Sequence, residues 1–275
     1  MAKHFAPGKG FPNNRKAAAV ITVALALTVA ILLISGIGRA ISDHILMPIF
    51  GSAPPAVTPM PDDRTNGRIN LPRLDVYLLQ LGSYTEAAPA SAEAKAIAQR
   101  GGAGYVLNQG SYRVIAAGYL TQAEAQSVAD KQTDKEFSPS VFMLSSGSVS
   151  FKLQCSKEQL DILRRACEYY PSLVKDLMEE SVLLDSCETT ASRVRINYTY
   201  RLTAVEEIIA GLESLPYSPD EELIPRLLTV YRNARLQLNN ISLKNSKEGL
   251  DFFSDIKYNY IEMIIAYRDM IKNLS

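Results

Sequence analysis

From Ala17 to Ile37 the chain reads AAAVITVALALTVAILLISGI, without a single charged residue. At a helical rise of about 1.5 Å per residue, such a run is long enough to cross the hydrocarbon core of a bilayer. The sequence therefore predicts a transmembrane helix over 17–38, with the folded parts placed after it. Lys3, Lys9, Arg15 and Lys16 precede the run, whereas Arg39 and Asp43 follow it. That asymmetry predicts a basic cytoplasmic tail over 1–16 and an extracytoplasmic remainder. A cleaved signal peptide is the competing reading. Its apolar core would be only about 7–15 residues long, and Gly38-Arg39-Ala40 is a poor cleavage pattern, so a single-pass protein of the cell membrane is expected.

Residues 39–70 read as a linker. Ile41 to Phe50 is a short apolar stretch suited to the membrane interface, and GSAPPAVTPMPDDRTNGR from Gly51 onward is dominated by prolines and turn formers. Its prolines favour extended geometry, so it is expected to act as a semi-stiff spacer.

Beyond the spacer, composition narrows the chemistry. Both histidines, His4 and His44, lie before residue 45, which removes histidine as base or metal ligand from everything that follows. Cys155, Cys167 and Cys187 are an odd count without a CxxC pair, so one disulfide is possible but no zinc site is signalled. Lys and Arg (29) balance Asp and Glu (29), giving no global field to attract nucleic acid. No nucleophile constellation and no paired carboxylates stand out. Neither enzymatic activity nor a cofactor is expected.

Residues 71–153 alternate between short β-rich runs and Ala-rich segments. Val76–Tyr84, Gly104–Asn108, Tyr112–Tyr119 and Ser140–Leu144 read as strands. Ala90–Arg100, stopped by Gly101-Gly102, and Thr121 to about Lys131, opened by a Thr121/Glu124 capping box, read as helices. The order is βαββαβ, which puts both helices on one face of a sheet and leaves the other face open. Alternation assigns Leu79, Leu81, Val114 and Ala116 to the helix side, and Leu78, Gln80, Arg113 and Ile115 to the open side. An amide and a guanidinium beside flat apolar patches suit amino sugars, which carry amide and hydroxyl groups around apolar ring faces.

Two strings in this region resemble the signature segments of SPOR domains. They are Leu78-Leu79-Gln80-Leu81-Gly82-Ser83-Tyr84 and Tyr112-Arg113-Val114-Ile115-Ala116-Ala117-Gly118-Tyr119-Leu120-Thr121-Gln122-Ala123-Glu124-Ala125. The family commonly shows Val-Gln-Val-Gly-Ser-Phe in the first, and Tyr-Arg-Val, Val-Gly-Pro-Phe and Ala-Glu-Ala in the second. The resemblance implies an RNP-like fold that binds peptidoglycan glycan strands stripped of stem peptides, in cell division, sporulation or wall remodelling. It implies Gln80, Ser83 and Arg113 as glycan contacts, and Ser111 and Ile115 join them as neighbours on the same strands. Singly, each is an ordinary strand or turn residue; their arrangement on one face is what makes a site. The chain departs from the pattern at Ala117-Gly118, where Gly-Pro is usual, and at Ser111, where some members place an aromatic. Tyr105 and Tyr112 then become the candidate stacking platforms. An RNA-binding reading of the same topology would need exposed aromatics on the central strands and a basic balance, and both are missing.

Residues 154–275 read as an all-α bundle, after an extra strand over Val149–Leu153. Ser156 and Gln159 form a capping box for a helix expected to stop near Tyr170, before Pro171. A long helix follows, weakest over Thr189–Asn197. Another is expected to start around Ser218, Pro219 and Glu221, and a last one after Asn245-Ser246, where Lys257 interrupts the apolar stripe. Tyr258, Tyr260 and Tyr267 are assigned to core and rim. Such stripes suit an intramolecular bundle that also recruits a protein partner. Two functions are carried forward. The first is a membrane-anchored binder of bare glycan; the alternative is an envelope interaction scaffold whose SPOR-like module no longer binds sugar.

Overall fold

A computed structural model describes residues 64–132, 137–216, 222–243 and 249–274. The expected transmembrane helix, the basic tail, most of the linker and the Ser218–Glu221 helix start lie outside these residues. Among the described residues, no helix is long and apolar enough to cross a membrane.

The strands and helices are β1 (Arg64–Leu71), β2 (Asp75–Tyr84), α1 (Ala87–Gln99), β3 (Tyr105–Asn108), β4 (Tyr112–Tyr119), α2 (Gln122–Lys131), β5 (Ser140–Ser145), β6 (Val149–Ser156), α3 (Lys157–Asp185), α4 (Ala191–Glu213), α5 (Leu223–Leu243) and α6 (Leu250–Leu274). Residues 61–275 make one compact unit.

Four strands form an antiparallel sheet in the order β3-β4-β2-β5, the arrangement expected of a βαββαβ chain. Leu79, Leu81, Val114 and Ala116 face α1 and α2, where they meet Ala90, Ala94, Ile97, Ala125 and Ala129. The register shifts around Gln80, and the consecutive residues Ala116 and Ala117 both enter this core, as a β-bulge allows. The Thr121/Glu124 capping box forms as read.

The second face of the sheet is not open, contrary to expectation. Val76, Leu78, Leu107, Ile115 and Leu144 share one core with Tyr170, Leu173, Leu177 and Met178 of α3 and with Tyr260, Ile261, Ile264 and Tyr267 of α6. The physical reason is economy of apolar surface. A sheet face and two apolar helix stripes, each needing cover, are removed from water together.

The linker also ends earlier than expected. Arg64–Leu71 pairs with Val149–Ser156 in an antiparallel two-stranded ribbon, from Arg64 opposite Ser156 to Leu71 opposite Val149. Asn66-Gly67 looks like a turn signal, yet Gly67 lies mid-strand because α3 passes close by. A Cβ there would stand 2.4 Å from a methyl of Leu160.

The Ser156/Gln159 capping box opens α3 as read, but the helix runs on through Pro171 to Asp185. Proline removes the donor for the carbonyl of Cys167, a cost that burial of Tyr170, Leu173 and Val174 in the core offsets. The break falls instead at Ser186–Thr190. Cys187 there adopts φ 60, and Thr190 caps α4 by accepting from the N–H of Arg193 at 3.3 Å. All three cysteines are free thiols. Burial pushes the Cys167 thiol up to about 12, so it behaves as a small apolar core residue.

Candidate functional site

The five candidate residues divide into two groups. Ser83 stands opposite Arg113 across β2 and β4, and its hydroxyl lies 3.2 Å from that of Ser111, the residue just before β4. Gln80 stands between Ile115 of β4 and Ser140 of β5. Ser83 is exposed, and Gln80, Ser111 and Arg113 are half-buried. These four form a polar strip along β2 and β4 that stays at least partly open to solvent.

Ile115 does not belong with them. It is 0% exposed, enclosed in the core shared with α3 and α6, so it cannot meet a ligand in this structure. Leu78, on the same face, is equally enclosed. The alternation that placed both residues on this face is correct; the expectation that the face meets solvent is not.

The strip has an aromatic member that was not singled out from the sequence. The Arg113 guanidinium carbon lies 5.0 Å from the ring centroid of Phe142 on β5. This contact holds the fork in place over a half-buried ring. The spacing of Phe142 within Ser140–Leu144 would have found it, since Phe142 pairs with Leu78 and therefore shares the face of Arg113. Neither tyrosine proposed as a stacking platform is free for that role. Tyr105 packs against Tyr258, with centroids 5.2 Å apart and planes tilted by 55°, and burial pushes its hydroxyl up to about 12. Tyr112 packs on the helix-side core.

What closes the rest of the face is specific. The Gly118 N–H donates to the Tyr260 hydroxyl at 2.9 Å, and that hydroxyl donates to the Gly118 carbonyl at 3.3 Å. A Cβ on Gly118 would lie 3.3 Å from the Tyr260 ring and 3.4 Å from the Met178 methyl. The departure from Gly-Pro to Ala117-Gly118 thus has a physical meaning. A proline at 118 would have no N–H to give Tyr260 and would push its ring into the helical layer.

Lys257 adds a second tie. Its ammonium, 8% exposed as a side chain, donates to the Gly101 carbonyl at 2.8 Å and to Asp185 at 2.7 Å, and it joins α6 to the end of α1 and to the end of α3. The residue that interrupts the apolar stripe is therefore a buried, paired cation. Tyr267 supplies a third tie, donating to the Pro72 carbonyl at 2.7 Å.

Among the described residues, no cluster of His, Cys, Asp or Glu could hold a metal ion. A cleft of about 780 Å³ on the helix side, floored by Leu79, Leu81, Ala116 and Ala117, is rimmed by Arg100, Asp185 and Lys257. Lys257 and Asp185 are already committed to each other there, and Arg100 lies over Phe137 at 4.9 Å.

Comparison with curated proteins and with solved structures finds no match to this chain. A family does match, over most of the four-stranded sheet, both helices packed on it and the polar strip: residues 75–142 are similar to the SPOR domain family.

Proposed function

We propose that this chain is a non-catalytic, membrane-anchored envelope protein that binds peptidoglycan glycan strands bared of stem peptides, in division or wall remodelling. The observation that carries the reading is the grouping of Gln80, Ser83, Ser111 and Arg113 on the uncovered part of a SPOR domain. The strip offers an amide, two hydroxyls and a fixed guanidinium beside the Phe142 ring, donors and acceptors suited to acetamido and hydroxyl groups. The apolar run at 17–38, with its cation asymmetry, supports an N-terminal anchor and an extracytoplasmic C-terminus.

Sacculus pelleting tests this reading. The full-length chain, solubilised in mild detergent, should sediment with amidase-treated sacculi and remain in solution with untreated ones. Equal recovery from both would count against it. Gln80→Ala with Arg113→Gln should weaken sedimentation while the circular dichroism stays unchanged.

One observation favours a second reading, that of an interaction scaffold. Most of the sheet face is spent on α3 and α6, which leaves a smaller polar surface than an open SPOR sheet would offer. Under this reading the chain would not sediment with either kind of sacculus, and crosslinking in cells would capture a protein at the helical layer.

A further inference from the structure

β1 and β6 lie outside the matched SPOR residues, and the charge on their solvent face is unusual. Asn66 stands opposite Gln154, Arg68 opposite Lys152, and Asn70 opposite Ser150. All six side chains are exposed, while Gly67, Ile69, Phe151 and Leu153, between them, turn inward to the helices. The Ser150 hydroxyl donates to Asn70 Oδ1 at 2.7 Å. Neither strand carries a carboxylate.

Among the described residues, the side chains of Arg68 and Lys152 enter no ion pair and no hydrogen bond. Arg73, Arg164, Arg165 and Arg232 are also largely exposed, and each of them holds a carboxylate. Like charges directly opposite one another on paired strands repel and reduce stability. A local rule broken without compensation inside the fold is expected where a ligand supplies the compensation.

We propose that this ribbon is a second glycan contact, in which Arg68 and Lys152 receive carboxylates of the sugar chain and Asn66, Asn70 and Gln154 receive its amide and hydroxyl groups. This rests on the reading of the chain as a binder of bare glycan. When an amidase hydrolyses the bond between the lactyl group of the sugar and the stem peptide, water adds across the amide. The peptide leaves with a free amine, and the lactyl group keeps a carboxylate. Bare glycan is thus a polyanion with acetamido and hydroxyl groups between its charges. Two adjacent cations flanked by amides, with no internal carboxylate competing for them, complement that ligand in charge and in hydrogen-bonding type. The face from Asn66 to Asn70 extends roughly 13 Å at the usual strand rise, room for more than one sugar ring.

The test uses the full-length chain and amidase-treated sacculi whose carboxylates are either left free or converted to neutral methylamides. On free-carboxylate sacculi, R68Q/K152Q should bind about fivefold more weakly than the unmodified protein, the size expected of two exposed ion pairs. On neutralised sacculi the two proteins should bind alike, and R68K/K152R should bind like the unmodified protein on both. If R68Q/K152Q binds free-carboxylate sacculi normally while Gln80→Ala with Arg113→Gln does not, the ribbon is no glycan contact and the SPOR reading stands. If the unmodified protein sediments with neither preparation, both fall. If R68Q/K152Q loses binding only to phosphatidylcholine vesicles containing phosphatidylglycerol, the ribbon serves a lipid surface and the proposal is overturned.

Discussion

The hydroxyl of Tyr260 in α6 sits between the N–H and the carbonyl of Gly118 in β4, 2.9 Å from one and 3.3 Å from the other, and so closes the sheet face of the SPOR domain from within the same chain. Both backbone groups are buried, so losing their partner leaves them unsatisfied. Tyr260→Phe should therefore cost about 1–3 kcal/mol in urea unfolding. Gly118→Pro should cost more, about 3 kcal/mol or above, because it deletes the donor and also crowds Tyr260 and Met178. Equal midpoints for Gly118→Pro and the unmodified protein would show that α6 does not rest on β4.

At Lys257 the two partners are unequally buried, with side chains 8% exposed for Lys257 and 38% for Asp185. Removing the lysine lets the carboxylate rehydrate, whereas removing the aspartate leaves an enclosed ammonium with one carbonyl. Lys257→Met should be nearly neutral, within about 1 kcal/mol, and Asp185→Ala should cost about 2–3 kcal/mol. Chemical denaturation of the two variants checks the order, and the reverse order would contradict the geometry.

Burial raises the hydroxyls of Tyr105, Tyr119, Tyr170, Tyr198, Tyr231, Tyr260 and Tyr267, Tyr105 to about 12 and the others in the same direction. An unfolded tyrosine ionises near 10.0. Between those values the folded chain keeps protons that the unfolded chain has released, so stability falls as pH rises. It should decline from about pH 9 upward, where an unfolded Cys167 begins to ionise, and more steeply above about pH 10 as the tyrosines join it. Without tryptophan to interfere, the tyrosinate absorbance of these tyrosines should appear together with unfolding in one cooperative step. Gradual ionisation of these tyrosines while circular dichroism persists would contradict their enclosure in the core.

Gly67 tests whether β1 belongs to the fold. Gly67→Val should cost about 1–3 kcal/mol by forcing Leu160 aside, while Asn66→Ala on the outer face should change stability by less than about 0.5 kcal/mol. If β1 were part of a free spacer, neither substitution would matter in thermal unfolding.

How much of this was legible in the sequence depends on the range of the physics involved. The alternation of Leu78 to Leu81 and of Arg113 to Ala116 reports local strand geometry, and each of these residues lies on the face it implied. The Thr121/Glu124 and Ser156/Gln159 capping boxes are equally local, and both form. Pro171 and Asn66-Gly67 are local signals overruled by packing, in one case by a helix carried through a proline inside an apolar core, in the other by the close approach of Leu160. The cover over Ile115 was not legible, because an apolar stripe says that a surface will be buried and not by what. Lys257 as a break in that stripe, and Gly118 as a break in the family pattern, are two sides of the same docking, visible once both elements are placed together.

Amide hydrogen exchange on the full-length chain, with and without soluble glycan fragments bared by an amidase, bears most directly on the proposal that the polar strip binds bare glycan. Glycan should slow exchange over residues 80–84 and 111–113 and leave the amides of residues 115–118 as slow as before, since α6 stays seated on the sheet. Faster exchange at 115–118 on adding glycan would mean that the ligand displaces α6, and the polar strip would then not be the site.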